Sequence, residues 1–353
     1  MRIRPVLPLV LGLLVLPPAP TAAQEHLEDP TLREWEVPYP ESRPRDPMVA
    51  PDGRVWFCGQ AGAYIAVLDP GTGEFRRYDT GGVRPHNLII DDQGMVWYAG
   101  NAASQGAEAR HIGRLDPATG EIEKFWMPDD RARDPHTLVF DSRGDIWFTV
   151  QGGNFIGKLW TGTGEIRLVE SVPGRAGSRG AASSRPYGIV VDSRDRPWVA
   201  LFNTNHIATV DPETFELKTY ELPENALPRR IAITSDDILW YGDWTRGTLG
   251  RLDPETGAVR EFDLPHGTDA RPYAMLADDS DRLWIFETGV EPNNLVGFDP
   301  ATEEIFSQTQ PESGGGTVRH MYFDPDTNSI WFGADTNTVG VIKLPPRPRA
   351  VTQ

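Results

Sequence analysis

Seven polar side chains recur at one point of a repeat, and their types are those of a binding or catalytic site. Counting back eleven residues from each of seven tryptophans, and allowing one missing residue in the fifth repeat, gives Arg45, His86, His136, Tyr187, Arg230, Tyr273 and His320. Imidazoles exchange protons near neutral pH, guanidiniums grip carboxylates through forked donors, and phenols hydrogen-bond either way. Pro44, Pro85, Pro135, Pro186 and Pro272 immediately precede five of the seven, fixing the backbone that aims the next side chain. Three to five residues after the tryptophans stand Gln60, Asn101, Gln151, Asn203, Asp243, Glu287 and Asp335, so carboxylates fall only in the last three repeats. A base, cations and carboxylates converging on one point describe a small-molecule or metal site, with substrate held by Arg45, His86, His136, Tyr187, Arg230 and Tyr273. A water-filled channel with no function would also carry a polar lining.

The elements that must position these residues are short strands. The tryptophans lie in Val55-Trp-Phe57, Val96-Trp-Tyr98, Ile146-Trp-Phe148, Pro197-Trp-Val199, Leu239-Trp-Tyr241, Leu283-Trp-Ile285 and Ile330-Trp-Phe332, a period near 46 residues. Each repeat reads as four strands; in the second, Leu88-Ile-Ile90, Met95–Tyr98, Ile112–Leu115 and Ile122–Trp126 are separated by turns at Asp91–Gly94 and Asp116–Glu121. No segment of comparable length has helical periodicity. The expected fold is therefore all-β, a seven-bladed β-propeller forming one domain over residues 24–345. The seventh repeat ends after three strands, and an orphan strand, Leu32–Val37, matches the missing fourth, so the two chain ends should close the ring. Two long insertions, Asn101–Arg110 and Glu170–Arg185, should emerge on the same face as the polar set and suit lid loops.

Composition narrows the partners. With 34 Lys and Arg against 51 Asp and Glu, a net charge of −17, the chain has no basic surface for a phosphate backbone, and nucleic acid is not an expected partner. The single cysteine, Cys58, excludes an intramolecular disulfide and reads as a buried small hydrophobe. Residues 1–23 have the basic start, apolar run and small-residue end of a secretory signal peptide, and the apolar run is too short to span a bilayer. An exported monomer, periplasmic or secreted, with a short tail over 346–353, is the expectation.

The repeated pattern Arg-Pro-His/Tyr, apolar run, Asp-x-x-Gly, Trp-Phe and Ile-Gly-Arg-Leu resembles the virginiamycin B lyase (streptogramin lyase) family over all seven blades. The resemblance implies a magnesium-assisted elimination that opens an ester-containing ring without water. It places the family's catalytic histidine on His320, one metal-binding glutamate on Asp335, the other on Val318, and a substrate-binding histidine on Tyr273. Magnesium would then fall to Asp335 together with Glu287. Three functions follow as expectations: a carbon–oxygen lyase with His320 as base, a non-catalytic propeller binding a ligand or protein on the same face, and a lactonase-like hydrolase. The ligand expected is small, with a carboxylate or carbonyl-rich group held by Arg45 and Arg230.

Overall fold

A computed structural model describes residues 32–103, 108–176 and 182–346. The expected signal peptide and residues 24–31 lie outside them, as do the tail from residue 347 on and parts of both expected lid loops, 104–107 and 177–181. Seven four-stranded antiparallel sheets form the ring. Blades one to six span residues 44–79, 83–126, 135–170, 186–221, 228–263 and 272–309, and blade seven comprises 318–343 plus Leu32–Glu36. First strands of successive blades pack side by side around the axis, and that of blade seven meets that of blade one. No helix among the described residues is long and apolar enough to cross a membrane.

Burial follows position in the blade. A second strand such as Ile146–Val150 is covered by a neighbouring blade on each side and is buried throughout, whereas the fourth strand Ile166–Glu170 alternates between half-buried and exposed. The seven tryptophans are all buried. In blades two, four and six the aspartate six residues earlier takes the indole N–H: Asp91 from Trp97, Asp192 from Trp198 and Asp278 from Trp284, at 2.8 to 3.0 Å. Blade three departs from this. There Asp141 accepts from the wholly buried Lys158 Nζ at 2.6 Å, and the Trp147 N–H has no partner. The recurrent glycine of Ile-Gly-Arg-Leu has a steric cause. A Cβ on Gly113 would lie 2.2 Å from the Tyr98 ring, and Gly157, Gly250 and Gly340 meet Phe148, Tyr241 and Phe332 in the same way, because in these four blades the aromatic after the tryptophan lies over the third strand.

Two devices join the blades. On the turn between first and second strands, Ser142, Ser193 and Ser235 each donate their amide and hydroxyl to the aspartate of the next blade, Asp195, Asp237 and Asp281. The ring closes as the sequence anticipates. Leu32–Glu36 pairs antiparallel with Thr338–Lys343, from Leu32 opposite Ile342 to Glu36 opposite Thr338. Trp35 stacks on Trp331 at 5.5 Å, and the Glu34 carboxylate accepts from the Ser313 amide and hydroxyl at 2.8 and 2.6 Å.

Candidate functional site

Every first strand is interrupted by a bulge near its start, and the axial side chains stand at or beside it. In blade three Pro135 faces Val150 and pairing resumes with Leu138 opposite Phe148, leaving His136 and Thr137 out of register. The same interruption frees His86 and Asn87, Tyr187 and Gly188, Arg229 and Arg230, Tyr273 and Ala274, and Arg319 and His320; in blade one Arg45 and Asp46 hold the matching places after Pro44, but Arg45 stays paired with Cys58 and the interruption falls on Asp46 and Pro47. The bulge therefore offers two positions per blade. Arg45, His86, His136, Tyr187 and Tyr273 share the first position, but Arg230 and His320 occupy the second; their counterparts in the first are Arg229 and Arg319. This corrects the one-residue deletion assumed for repeat five. Pro228 stands twelve residues before Trp240, as Pro186 does before Trp198, while blade seven has one residue more between strands.

Each set of positions makes contacts chiefly within itself. In the first, the His86 and His136 rings lie 3.5 Å apart between centroids, His136 and Tyr187 lie 4.0 Å apart, and the Tyr187 and Tyr273 hydroxyls are hydrogen-bonded. The Arg229 guanidinium covers Tyr273, 3.5 Å from its centroid, with Trp244 at 4.0 Å and Phe202 at 4.8 Å completing an aromatic cradle. The second set is organised by Asp46. This carboxylate, wholly buried on a backbone with φ of 50°, accepts from Asn87 Nδ2 at 3.1 Å and from Arg45 Nε at 2.5 Å, with Arg230 Nη2 at 3.5 Å. His320 Nδ1 lies 3.6 Å from Asp46 Oδ1, an electrostatic contact longer than a hydrogen bond. Asp46 escaped the residue-type pattern because only one position per repeat was counted. Its signal is the charged pair Arg45-Asp46 inside a strand that otherwise reads as apolar.

Burial, with Arg45 and Arg230 nearby, holds the imidazoles of His86, His136 and His320 well below the ordinary value, so all three are neutral at pH 7. Desolvation opposes ionisation of Asp46, but the guanidiniums of Arg45 and Arg230 outweigh it and keep its pKa low. The histidines make stability acid-sensitive. The unfolded chain binds protons at about 6.5 where the folded ring refuses them, so their contribution is complete above that value and is lost as pH falls below it. Each ring should contribute up to about 1.4 kcal/mol per pH unit. Thermal melts between pH 7.5 and 5 test this: wild type should lose stability across the window, and a His86→Gln, His136→Gln variant should show a shallower slope.

The sequence-selected carboxylates are engaged locally. Asp243 Oδ1 caps the amides of Leu227, Thr245 and Arg246 and does not pair with Arg230. The buried Glu287 accepts from the His266 amide at 3.0 Å, the His266 ring at 2.6 Å and Asn294 Nδ2 at 2.6 Å. Asp335 is gripped through both oxygens by Arg319, with Arg43 at 3.9 Å. The family's other metal position is the hydrocarbon Val318. Among the described residues no three His, Cys, Asp or Glu side chains gather where they could hold a metal ion. A hard cation needs about six oxygen donors, and this donor set, with its carboxylates already neutralised by Arg319 or bonded to His266 and Asn294, does not fit magnesium. What surrounds His320 instead is guanidinium.

No protein-family model and no curated protein matches the chain. Solved structures do. Virginiamycin B lyase from Staphylococcus aureus is 24% identical with a TM-score of 0.75, covering 89% of this chain and 99% of that one. A streptogramin B lyase is 26% identical with a TM-score of 0.76, covering 89% and 98%. A catalytically inactive histidine-to-alanine variant of the S. aureus enzyme, solved with quinupristin, has the same 24% identity and 0.75. The likeness to virginiamycin B lyase is thus one of fold over the whole ring.

Proposed function

We propose that the chain is an exported, virginiamycin B lyase-like propeller that opens an ester-containing small molecule by elimination, with His320 as the base. One observation carries this reading: His320 keeps 28% of its side chain exposed in an axial set that is otherwise mostly buried, its imidazole is neutral, and the Asp46 carboxylate stands behind it. The imidazole removes the proton from the carbon next to a carbonyl, the electron pair forms a carbon–carbon double bond, and the ester oxygen leaves with its bonding pair as a carboxylate. The imidazolium so formed faces Asp46. Arg229 and Arg319 supply the positive charge for the carbonyl oxygen and the departing carboxylate, the part a metal plays in the family that the sequence resembles.

Turnover of cyclic depsipeptides by the mature protein, followed by mass spectrometry, tests the reaction, because elimination leaves the mass unchanged and hydrolysis adds one water. His320→Ala should lower kcat by about 10²- to 10⁴-fold with little change in melting temperature. Because the His320 pKa is depressed, the base stays deprotonated below about 6.5, so kcat/KM should hold level through that value and fall only in more acid solution. Exhaustive chelation should leave turnover intact; loss restored by magnesium would overturn the guanidinium assignment. Saturable binding without turnover would instead identify a binding propeller.

A further inference from the structure

Four guanidiniums meet around Tyr187 and Tyr273, and the carboxylates they touch are too few to balance them. Arg45 and Arg230 are 3% and 2% exposed and share Asp46. Arg319 holds Asp335, lying 5.8 Å from the Tyr273 centroid, and Arg229 lies over the same ring at 3.5 Å. Guanidiniums keep their protons in proteins, and buried charge must be met by an opposite charge. The neighbouring histidines are neutral and cannot help balance it. Among the described residues, Arg45 Nη2, Arg229 Nε and Arg230 Nε are buried without a hydrogen-bond partner. Between these cations lie the two phenol oxygens, bonded to each other, with Arg229 Nη2 3.5 Å from that of Tyr187.

We propose that Tyr187 and Tyr273 share one proton at neutral pH, and that an anionic ligand group displaces the resulting phenolate charge: as a carboxylate settles against Arg229 and Arg319, the pair takes up one proton from solvent. Burial would raise both phenols. At Tyr273 the fields of Arg229, Arg45, Arg230 and Arg319 outweigh it and pull the pKa down to about 7, while Tyr187, facing that phenolate, is pushed up. Above that pH, carboxylate affinity should fall by about tenfold per pH unit, since each binding event must also take up a proton. The proposal rests on reading this face as the ligand site, but it requires neither His320 nor turnover.

Ultraviolet difference titration of the mature protein reads the phenolate directly. One of the nine tyrosines should ionise near neutrality in wild type, and Tyr273→Phe should remove that step. At pH 8, acetate should bleach the tyrosinate band by up to one tyrosine, whereas chloride at matched ionic strength should not, and Arg229→Gln should abolish the response. If Tyr273→Phe fails to fold, Arg229→Gln still reads the same quantity by moving the early titration upward. A wild-type titration with no tyrosine ionising below about 9, an unchanged band with acetate, or equal bleaching by chloride would each overturn the proposal. Failure of elimination with this response intact would remove the reaction and leave the proton-coupled anion site standing.

Discussion

Excision of Leu32–Glu36 should lower the melting temperature by about 10 °C or more and make the protein prone to association, an effect out of proportion to five residues. The segment is the fourth strand of blade seven, so its loss opens a row of unpaired groups along Thr338–Lys343. It also removes Trp35 from Trp331 and Glu34 from Ser313. Ladder bonds worth about 1 kcal/mol each and two apolar side chains at about 1.5 kcal/mol or more together approach 5 kcal/mol, against a total stability of about 5 to 15 kcal/mol. At roughly 2 °C per kcal/mol this gives the expected shift. Calorimetry of the deletion checks it, and a synthetic peptide of residues 31–38 should restore part of the loss. An unchanged melting temperature would mean that the ring is held by blade contacts alone.

The second large effect is expected at Asp46. Asp46→Ala should cost roughly 3 to 5 kcal/mol, because it strands Arg45 and Arg230 in a place where water cannot reach them. Pairing the change with Arg45→Met should recover much of the loss, since the remaining guanidinium still reaches Thr137 at 3.0 Å. Chemical denaturation of the two variants distinguishes a charge effect from a packing effect. A loss below about 1 kcal/mol for Asp46→Ala would show that these arginines are neutralised by something other than this carboxylate.

How much of this was legible in the sequence depends on how local each signal is. The blades were readable because strand, turn and tryptophan recur within each repeat, and the closing strand because its pattern matched fourth strands elsewhere. The axial pattern was readable only in part. Tryptophan spacing locates a bulge but not which of its two residues a given blade uses, and counting from Pro228 rather than assuming a deletion would have placed Arg229. The fate of Glu287 was not readable, since its partner His266 is a linker residue 21 positions away with no pattern of its own. Asp335 was legible, but not the arginine that grips it, because Arg319 stands where all six other blades have an arginine, histidine or tyrosine, and the spacing from Trp331 points to the histidine beside it.

The paired bulge positions also bear on how such a ring can change its chemistry. In blades two to seven both residues of the bulge lie outside the ladder, so substituting one leaves the strand hydrogen bonds of its blade untouched. Blades five and seven show the consequence: arginine sits in the first slot of each, while arginine in one and histidine in the other fill the second. Blades two, three, five and seven thus have two separately addressable letters, one toward the stacked belt that runs from His86 to Tyr273 and one toward the network around Asp46, whereas the second slot of blade four is held to Gly188 by the Arg229–Arg230 backbone 2.9 to 3.0 Å from where a Cβ would stand. The ring could be rewritten toward a new ligand letter by letter, with no insertion or deletion and no loss of closure.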